Sequence, residues 1–246
     1  PQARNFLEAL LLAQAGSDAP LTDAEVLGNV FTMLMAGEDT TANTMAWMLH
    51  FMAQHPDVQA RMQAEADAVL GTAAVLDDIA GAERLAYIEA AAHETMRLKP
   101  VAPLLFLEPK EDVQLDGLHV PRGTFLMLLT RPSGLRASGT VGDDAFRPER
   151  WLGGAGAADL HHAGFVPFGS GPRLCPGRSL ALLEIKTAMS MVCRNFNVAA
   201  PARARPVGEL FAFTMMPTNL RVIYSRRAEQ GSGSSRRERA LAANTE

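Results

Sequence analysis

The chain combines long stretches of helical periodicity with short apolar runs bounded by turn residues. Apolar positions three and four apart predict five main helices, over residues 5–14, 23–54, 56–70, 85–99 and 179–194. Apolar runs between Gly, Pro and Asn predict short strands within residues 112–129 and over residues 196–199, 210–215 and 220–224. Residues 131–144 and 153–164 are predicted to be irregular loops. The pattern predicts a mainly α fold with small β-sheets, an α+β class.

The ends of two predicted helices carry clear signals. Thr22 and Glu25 have the spacing of a capping box, in which threonine caps the helix start and glutamate bonds back to the cap. Pro56 at the first position of the next helix and Gly71 just past its end show the usual asymmetry. At ~1.5 Å per residue, the helix after Thr22 is about 48 Å long, enough to cross a domain.

Composition and charge exclude several classes of protein. The chain is 48% hydrophobic, as a globular protein is, and its formal net charge of −4 predicts no nucleic-acid partner. The apolar stretch 26–52 contains Glu38 and Asp39, and charges there argue against a transmembrane span. Two cysteines form no disulfide framework and fit a reducing compartment. We therefore expect a soluble, cytoplasmic protein.

One cysteine lies in a Gly- and Pro-rich segment directly before the last long helix. Residues 168–178 read Phe-Gly-Ser-Gly-Pro-Arg-Leu-Cys-Pro-Gly-Arg, in which glycines widen and prolines restrict the backbone. The positive end of the following helix points toward Cys175, and Arg173 adds a cation, which favours an anionic, metal-ligating sulfur. Taken alone, a cysteine is more often buried and inert, which is the role we expect of Cys193.

The spacing F-x-x-G-x-R-x-C-x-G resembles the haem-binding loop of the cytochrome P450 family. The matching positions are Phe168, Gly171, Arg173, Cys175 and Gly177. The resemblance implies that Cys175 is the thiolate ligand of haem b iron, a ligand that favours O–O cleavage. It also implies that Arg173 pairs with a haem propionate and that Phe168 packs near the sulfur.

A second motif, Ala-Gly-Glu-Asp-Thr-Thr at residues 36–41, interrupts the long helix. Packing gives no reason for it, because a helical Gly costs ~1 kcal/mol relative to Ala and Thr hydroxyls can bend a helix. A solvated polar patch is the alternative. The motif resembles A-G-x-D/E-T-T of the P450 distal helix, which implies that Gly37 faces the haem and that Asp39 and Thr40 deliver protons. An acid and a hydroxyl with ordered water can perform that relay.

A third motif pairs two charges on one helix face. Glu94 and Arg97 are three residues apart and can form an ion pair, exposed in the simplest interpretation. Followed by Leu-Lys-Pro, they resemble the E-x-x-R motif of the P450 K-helix. That family adds an arginine from a downstream Pro-Glu-Arg-Trp segment, here Arg150. The resemblance therefore implies a structural network of Glu94, Arg97 and Arg150 behind the haem.

The resemblance runs from about residue 21 to 224 and implies the C-terminal portion of the P450 fold. We expect one partial P450 domain over residues 1–224, with the N-terminal half absent, and a disordered tail over residues 225–246. The sequence opens at Pro1 without an initiating Met, which also suggests a fragment. A membrane anchor in a lost N-terminus is the alternative to a soluble, cytoplasmic protein.

Three further positions bear on the site. Leu107 stands near the place where many family members have a propionate-binding arginine. The expected hairpin turn at residues 216–219 is a candidate for the substrate pocket. His161 and His162 have no companion ligands, so we expect no metal site there.

The resemblance implies a haem-thiolate monooxygenase that inserts one oxygen atom from O2 into an apolar organic substrate. Electrons from NAD(P)H would arrive through a ferredoxin- or flavoprotein-type donor. One alternative is a non-catalytic or incomplete fragment that needs its N-terminal half as a partner. Another is a haem-thiolate enzyme that rearranges peroxides, against which the presence of both Asp39 and Thr40 argues.

Overall fold

The computed structural model describes residues 3–16, 20–137, 144–153 and 165–228. The helices in this part of the chain are α1 (Phe6–Gly16), α2 (Asp23–Gln54), α3 (Pro56–Leu70), α4 (Ile79–Glu83), α5 (Ala86–Leu98), α6 (Thr130–Ala137) and α7 (Arg178–Asn195). The strands are β1 (Leu104–Leu107), β2 (Val113–Leu115), β3 (Leu118–Val120), β4 (Leu126–Leu129), β5 (Phe196–Ala199), β6 (Gly208–Phe211), β7 (Met215–Thr218) and β8 (Ile223–Arg226). The described strands form two-stranded antiparallel sheets that pair β1 with β4, β2 with β3, β5 with β8 and β6 with β7. Long helices with small sheets confirm the expected α+β class.

The long helix α2 changes character along its length. It begins with the predicted capping box, in which Thr22 Oγ1 accepts the Glu25 N–H at 3.2 Å and Glu25 Oε2 accepts the Thr22 N–H at 2.8 Å. Several large apolar side chains in its first half are exposed, including Leu27 at 67% and Phe31 at 62%, whereas Trp47 in its second half is buried. No helix among the described residues has both the length and the hydropathy needed to cross a membrane.

The main core lies where α2, α3, α5 and α7 pack together. Its buried side chains include Met48, Met52, Val58, Met62, Leu85, Ile88, Ile185, Met189 and Cys193. Helix α5 is buried along most of its length, and the run Ala90–Ala91–Ala92 keeps its surface small where neighbours approach. Glu94 and Arg97 are therefore carried by the most enclosed helix of the described chain.

The N-terminus of α5 is capped from a neighbouring helix. Its own N-cap residue, Leu85, has no side-chain acceptor. Instead Glu65 of α3 accepts the backbone N–H groups of Tyr87 at 2.7 Å and of Ile88 at 2.9 Å. A carboxylate at this end also interacts favourably with the helix dipole, so Glu65 ties α3 to the start of α5.

Replacing Glu65 with alanine is expected to lower the free energy of unfolding by about 1–2 kcal/mol, because two helix-end N–H groups lose their acceptor. Urea denaturation followed by far-UV circular dichroism measures the change. Glu83→Ala, at an exposed position of α4, is the matched control and should stay within about 0.5 kcal/mol of the unmodified chain. Equal midpoints for the two variants would contradict the capping role.

The prediction of an irregular loop after residue 130 was wrong for residues 131–137, which belong to α6. Thr130 is buried and fixes the helix start: its N–H donates to Pro103 O and its hydroxyl to Ala102 O, both at 3.0 Å. Pro132 is compatible with the helix because it lies in the first turn, where N–H groups have no partner within the helix. Residues 138–143 lie outside the described residues.

The turn of the final hairpin lies at a different place in the sequence from the one predicted. Residues 210–215 were expected as a strand and 216–219 as a turn, but the turn lies at residues 212–214, between β6 and β7. Met215 determines the register, because its N–H donates to Val101 O at 2.9 Å and its carbonyl accepts the Trp47 indole N–H at 3.3 Å. These contacts come from distant parts of the chain, so the local pattern does not contain them.

The last described strand runs past the boundary expected after Tyr224. Strand β8 ends at Arg226, which pairs with Phe196 of β5. Arg227 then binds both carboxylate oxygens of Asp67, at 2.9 and 2.7 Å, and the carbonyl of Cys193 at 2.7 Å. This clamp holds the chain end against α3 and α7. The rest of the expected tail, from residue 229, lies outside the described residues.

Candidate functional site

The segment before α7 folds into a tight loop that presents Cys175. The Cys175 N–H donates to Phe168 O at 2.9 Å, and the Leu174 N–H donates to Gly171 O at 3.0 Å. Gly169 and Gly171 have φ values of 71° and 61°, which side-chain-bearing residues rarely adopt. The glycines thus allow the reversal that brings the two ends of the loop together.

Cys175 lies at the N-terminus of α7. Gly177 is the N-cap residue, its carbonyl accepts the Ala181 N–H at 2.8 Å, and Cys175 O accepts the Arg178 N–H at 3.4 Å. The cysteine is half-buried and forms no disulfide. A sulfur at this position lies close to the positive end of an 18-residue helix.

Phe168 and Arg173, the other side chains of the loop motif, differ in exposure. Phe168 is half-buried, and the Arg178 guanidinium lies 5.9 Å from the centre of its ring. Arg173 is exposed at the end of a 3₁₀ turn that begins at Gly171. Its charge is therefore available at the surface of the loop.

The Ala-Gly-Glu-Asp-Thr-Thr motif at residues 36–41 lies at the middle of α2, where the helix passes from exposed to buried side chains. Gly37 and Asp39 are exposed, Thr40 is half-buried and Thr41 is buried. The Thr40 hydroxyl donates to Ala36 O at 2.7 Å. Because its proton is already engaged, the oxygen presents its lone pairs as acceptors to any further partner.

An open groove runs between α2 and α7. It has a volume of about 630 Å³ and is lined by Gly37, Glu38, Thr41, Ala42 and Met45 on α2, and by Leu183, Glu184, Thr187, Ala188 and Met191 on α7. The helix that begins beside Cys175 and the helix that carries Gly37 therefore share one concave surface.

The third motif forms a buried network around Glu94, whose side chain is fully buried together with that of Arg97. Arg97 donates to both carboxylate oxygens, with Nη2 2.7 Å from Oε1 and Nε 2.9 Å from Oε2. Arg150 Nε donates to Oε1 at 2.9 Å. Glu94, Arg97 and Arg150, which the sequence groups by resemblance, thus lie in direct contact.

Glu94 accepts two further hydrogen bonds that were not predicted from the sequence. The Arg147 backbone N–H donates to Oε1 at 3.0 Å, and the Trp151 indole N–H donates to Oε2 at 2.9 Å. Arg147 directly precedes the Pro-Glu-Arg-Trp segment, which forms a 3₁₀ turn, and Trp151 is the last residue of that turn. The only available signal was the position of an indole next to the arginine of the motif.

A second polar cluster beside this network was also missed. Glu149 accepts the Tyr87 hydroxyl at 2.7 Å and forms an ion pair with Arg61. The Arg61 guanidinium lies 4.3 Å from the centre of the Tyr87 ring. The pKa of Tyr87 is raised, mainly by burial and secondly by the hydrogen bond to Glu149. The phenol therefore stays protonated and joins α3, α5 and the 3₁₀ turn.

The second cysteine, Cys193, belongs to the core and not to the candidate site. Cys193 is completely buried in the main core. Burial raises the pKa of its thiol to about 12, so at neutral pH it is an inert apolar group. This matches the packing role predicted from the sequence.

The residues present fit a haem held through one sulfur ligand. Within the described ranges, no group of three or more His, Cys, Asp or Glu side chains could hold a metal ion. A single half-buried thiol suits a metal whose other ligands belong to a macrocycle. A Cβ on Gly37 would meet nothing within 4 Å, and one on Gly177 would meet only Cys175 Sγ, at 3.8 Å. The chain itself therefore gives no steric reason for either glycine, whereas a group lying against them would.

Three further positions were considered from the sequence, Leu107, His161 and His162. Leu107, where the family often has an arginine, lies on β1 and is 48% exposed, so it offers no charge to a propionate. The pair His161 and His162 lies outside the described residues.

Comparison with known proteins agrees with the motifs. The family model described as Cytochrome P450 matches residues 1–224. Cytochrome P450 4g15 of Drosophila melanogaster is 36% identical over 200 residues, and these cover 78% of this chain and 34% of the relative. Cytochrome P450 3A6 of Oryctolagus cuniculus is 33% identical over 199 residues, which cover 78% of this chain and 39% of the relative. Cytochrome P450 76C4 of Arabidopsis thaliana is 32% identical over 227 residues, covering 88% and 43%.

The chain is thus similar to one part of much longer proteins, since the matches span 34% to 43% of these relatives. The match nevertheless includes nearly all of the chain, and the family model accounts for every described element from α1 to the first residues of β8. The chain belongs to the cytochrome P450 family.

Proposed function

We propose that this chain carries the haem-thiolate site of a monooxygenase that inserts one oxygen atom from O2 into an apolar organic substrate. The observation that carries the proposal is the half-buried, unbridged Cys175 at the N-terminus of α7, in a loop closed by its own N–H. Haem with a thiolate ligand supplies the activation and cleavage of O2.

The loop and α2 provide the contacts that would hold the cofactor. Cys175 is the ligand, and it lies at the positive end of the α7 dipole. The exposed guanidinium of Arg173 pairs with a propionate, and Phe168 packs beside the sulfur. Gly37 and Gly177 keep the approaches free of side-chain atoms, although the chain itself leaves room for a Cβ at both positions.

Asp39 and Thr40 deliver protons. The carboxylate of Asp39 is exposed to solvent on α2, while the half-buried Thr40 lies one residue further into the helix. Since the Thr40 hydroxyl donates to Ala36 O, its oxygen can accept a hydrogen bond from a water molecule and orient it. The pair thus moves protons from solvent toward the reacting centre.

The substrate is an apolar organic molecule, and electrons come from NAD(P)H through a ferredoxin- or flavoprotein-type donor. The turn at residues 212–214 replaces residues 216–219 as the substrate-contact candidate in the final hairpin. It lies beside α2, because Asn43 of that helix donates to Thr214 Oγ1 at 3.0 Å.

The test is the difference spectrum of the reduced, carbon-monoxide-bound protein after the 246-residue chain is reconstituted with haemin. We expect a red-shifted Soret band of the thiolate type. An imidazole-type band would overturn the assignment of Cys175 as the ligand.

Failure to take up haem would favour a second candidate function, a fragment that needs the N-terminal half of a P450 domain as its partner. The exposed apolar face of α2, with Leu34 at 67% and Met35 at 50% as well as Leu27 and Phe31, supports this candidate. Such a face is typical of a surface that another part of a fold covers.

A further inference from the structure

We propose that Trp151 is a positioning residue for the Cys175 loop, which it joins to the buried carboxylate of Glu94. The functional meaning of this inference rests on the proposed role of Cys175 as the haem ligand. The contacts that carry it are independent of that role.

One end of the Trp151 side chain is held by the charge network. Its indole N–H donates to Glu94 Oε2 at 2.9 Å, and the residue is 9% exposed. Hydrogen bonds to charged groups are shorter and stronger than those between neutral groups. The bond therefore fixes the position of the indole nitrogen and the direction of its N–H.

The other end of the indole contacts the segment that leads into the loop. The Trp151 and Phe165 ring centres are 4.6 Å apart, and His93 meets the Trp151 ring edge-on at 5.3 Å. Phe165 is 4% exposed and lies three residues before Phe168. Phe168 packs against the small apolar cluster that contains both rings. Because Phe168 O accepts the Cys175 N–H, the contact path from Glu94 ends at the cysteine backbone.

The loop depends on this path because its inner side is not densely packed. A cavity of about 200 Å³ is lined by His93, Phe165 and residues 166–170 of the loop. Phe165 lines this cavity, and its ring contact with Trp151 supports the start of the loop there. Weakening the indole should therefore loosen the loop before it loosens the main core.

The experiment compares Trp151→Phe with Trp47→Phe in the 246-residue chain. These are its two tryptophans, both are buried, and both donate an indole N–H, to Glu94 and to Met215 O respectively. The rate of iodoacetamide labelling at each cysteine is measured by peptide mass spectrometry. Cys193 reports global unfolding, since it is buried within the core.

For Trp151→Phe we expect Cys175 labelling to rise about tenfold, the ratio that matches loss of one hydrogen bond to a charged group, with Cys193 labelling little changed. Trp47→Phe should not raise the labelling of Cys175 more than that of Cys193, because Trp47 lies outside the contact path. Equal changes at both cysteines of Trp151→Phe, or no change at Cys175, would overturn the inference.

Phe165→Leu provides an independent variant, because it removes the ring contact and leaves every donor to Glu94 in place. It should also raise Cys175 labelling selectively, and a rate equal to that of the unmodified chain would overturn the inference. Neither measurement requires haem. An imidazole-type haem spectrum combined with selective labelling would contradict the proposed function alone and leave the role of Trp151 intact.

Discussion

Glu94→Ala is expected to lower the free energy of unfolding by about 3–5 kcal/mol, the typical cost of removing one partner from a buried charge network. The carboxylate accepts hydrogen bonds from Arg97, Arg150, Trp151 and the Arg147 backbone, and it has no exposed side-chain surface. Its removal leaves two guanidinium groups near each other without the charge that compensates them. Such a loss is a large fraction of the roughly 5–15 kcal/mol that stabilises a typical domain.

The matched control is Glu89→Ala on the same helix. Glu89 binds Lys186 of α7 at 2.6 Å, but 35% of its side chain is exposed, so solvent screens the pair and its loss should cost no more than about 1 kcal/mol. Urea denaturation of both variants, followed by far-UV circular dichroism, measures the difference. If Glu94→Ala cost no more than Glu89→Ala, the Glu94 network would not be the anchor that its burial indicates.

The parts of the fold that were predictable are those whose cause is local. The start of α2 follows from Thr22 and Glu25, and the bounds of α3 follow from Pro56 and Gly71, because caps and prolines act within a few residues. Strand β1, by contrast, was not predicted. Its apolar run was visible, but its strand character depends on pairing with β4, about twenty residues later.

The site shows the same division. The spacing of Glu94 and Arg97 places them on one helix face, and the glycines of the loop indicate the backbone that Gly169 and Gly171 adopt. Trp151 reaches Glu94 across 57 residues of sequence. Glu65 caps α5 from a separate helix, with no local signal at either end. Contacts of this kind require the packing of α3, α5 and the 3₁₀ turn, which no local pattern specifies.

Cys175→Ala is expected to abolish the thiolate-type Soret band of the haemin-reconstituted, carbon-monoxide-bound protein, because it removes the proposed ligand atom. Its effect on stability should stay within about 0.5 kcal/mol, since the side chain is half-exposed and the N–H bond to Phe168 O belongs to the backbone. Unchanged circular dichroism together with a lost band would separate ligation from folding.

Cys193→Ala should have the opposite effect and completes the experiment. Cys193 is fully buried among core side chains, so loss of its sulfur should lower the free energy of unfolding by about 1 kcal/mol through the cavity left behind. The spectrum should keep its thiolate-type band, because this thiol, whose pKa burial raises to about 12, is fully buried in the core. A thiolate-type band that survived Cys175→Ala but disappeared in Cys193→Ala would reverse the assignment. The two substitutions therefore test the ligand and the core with the same chemical change.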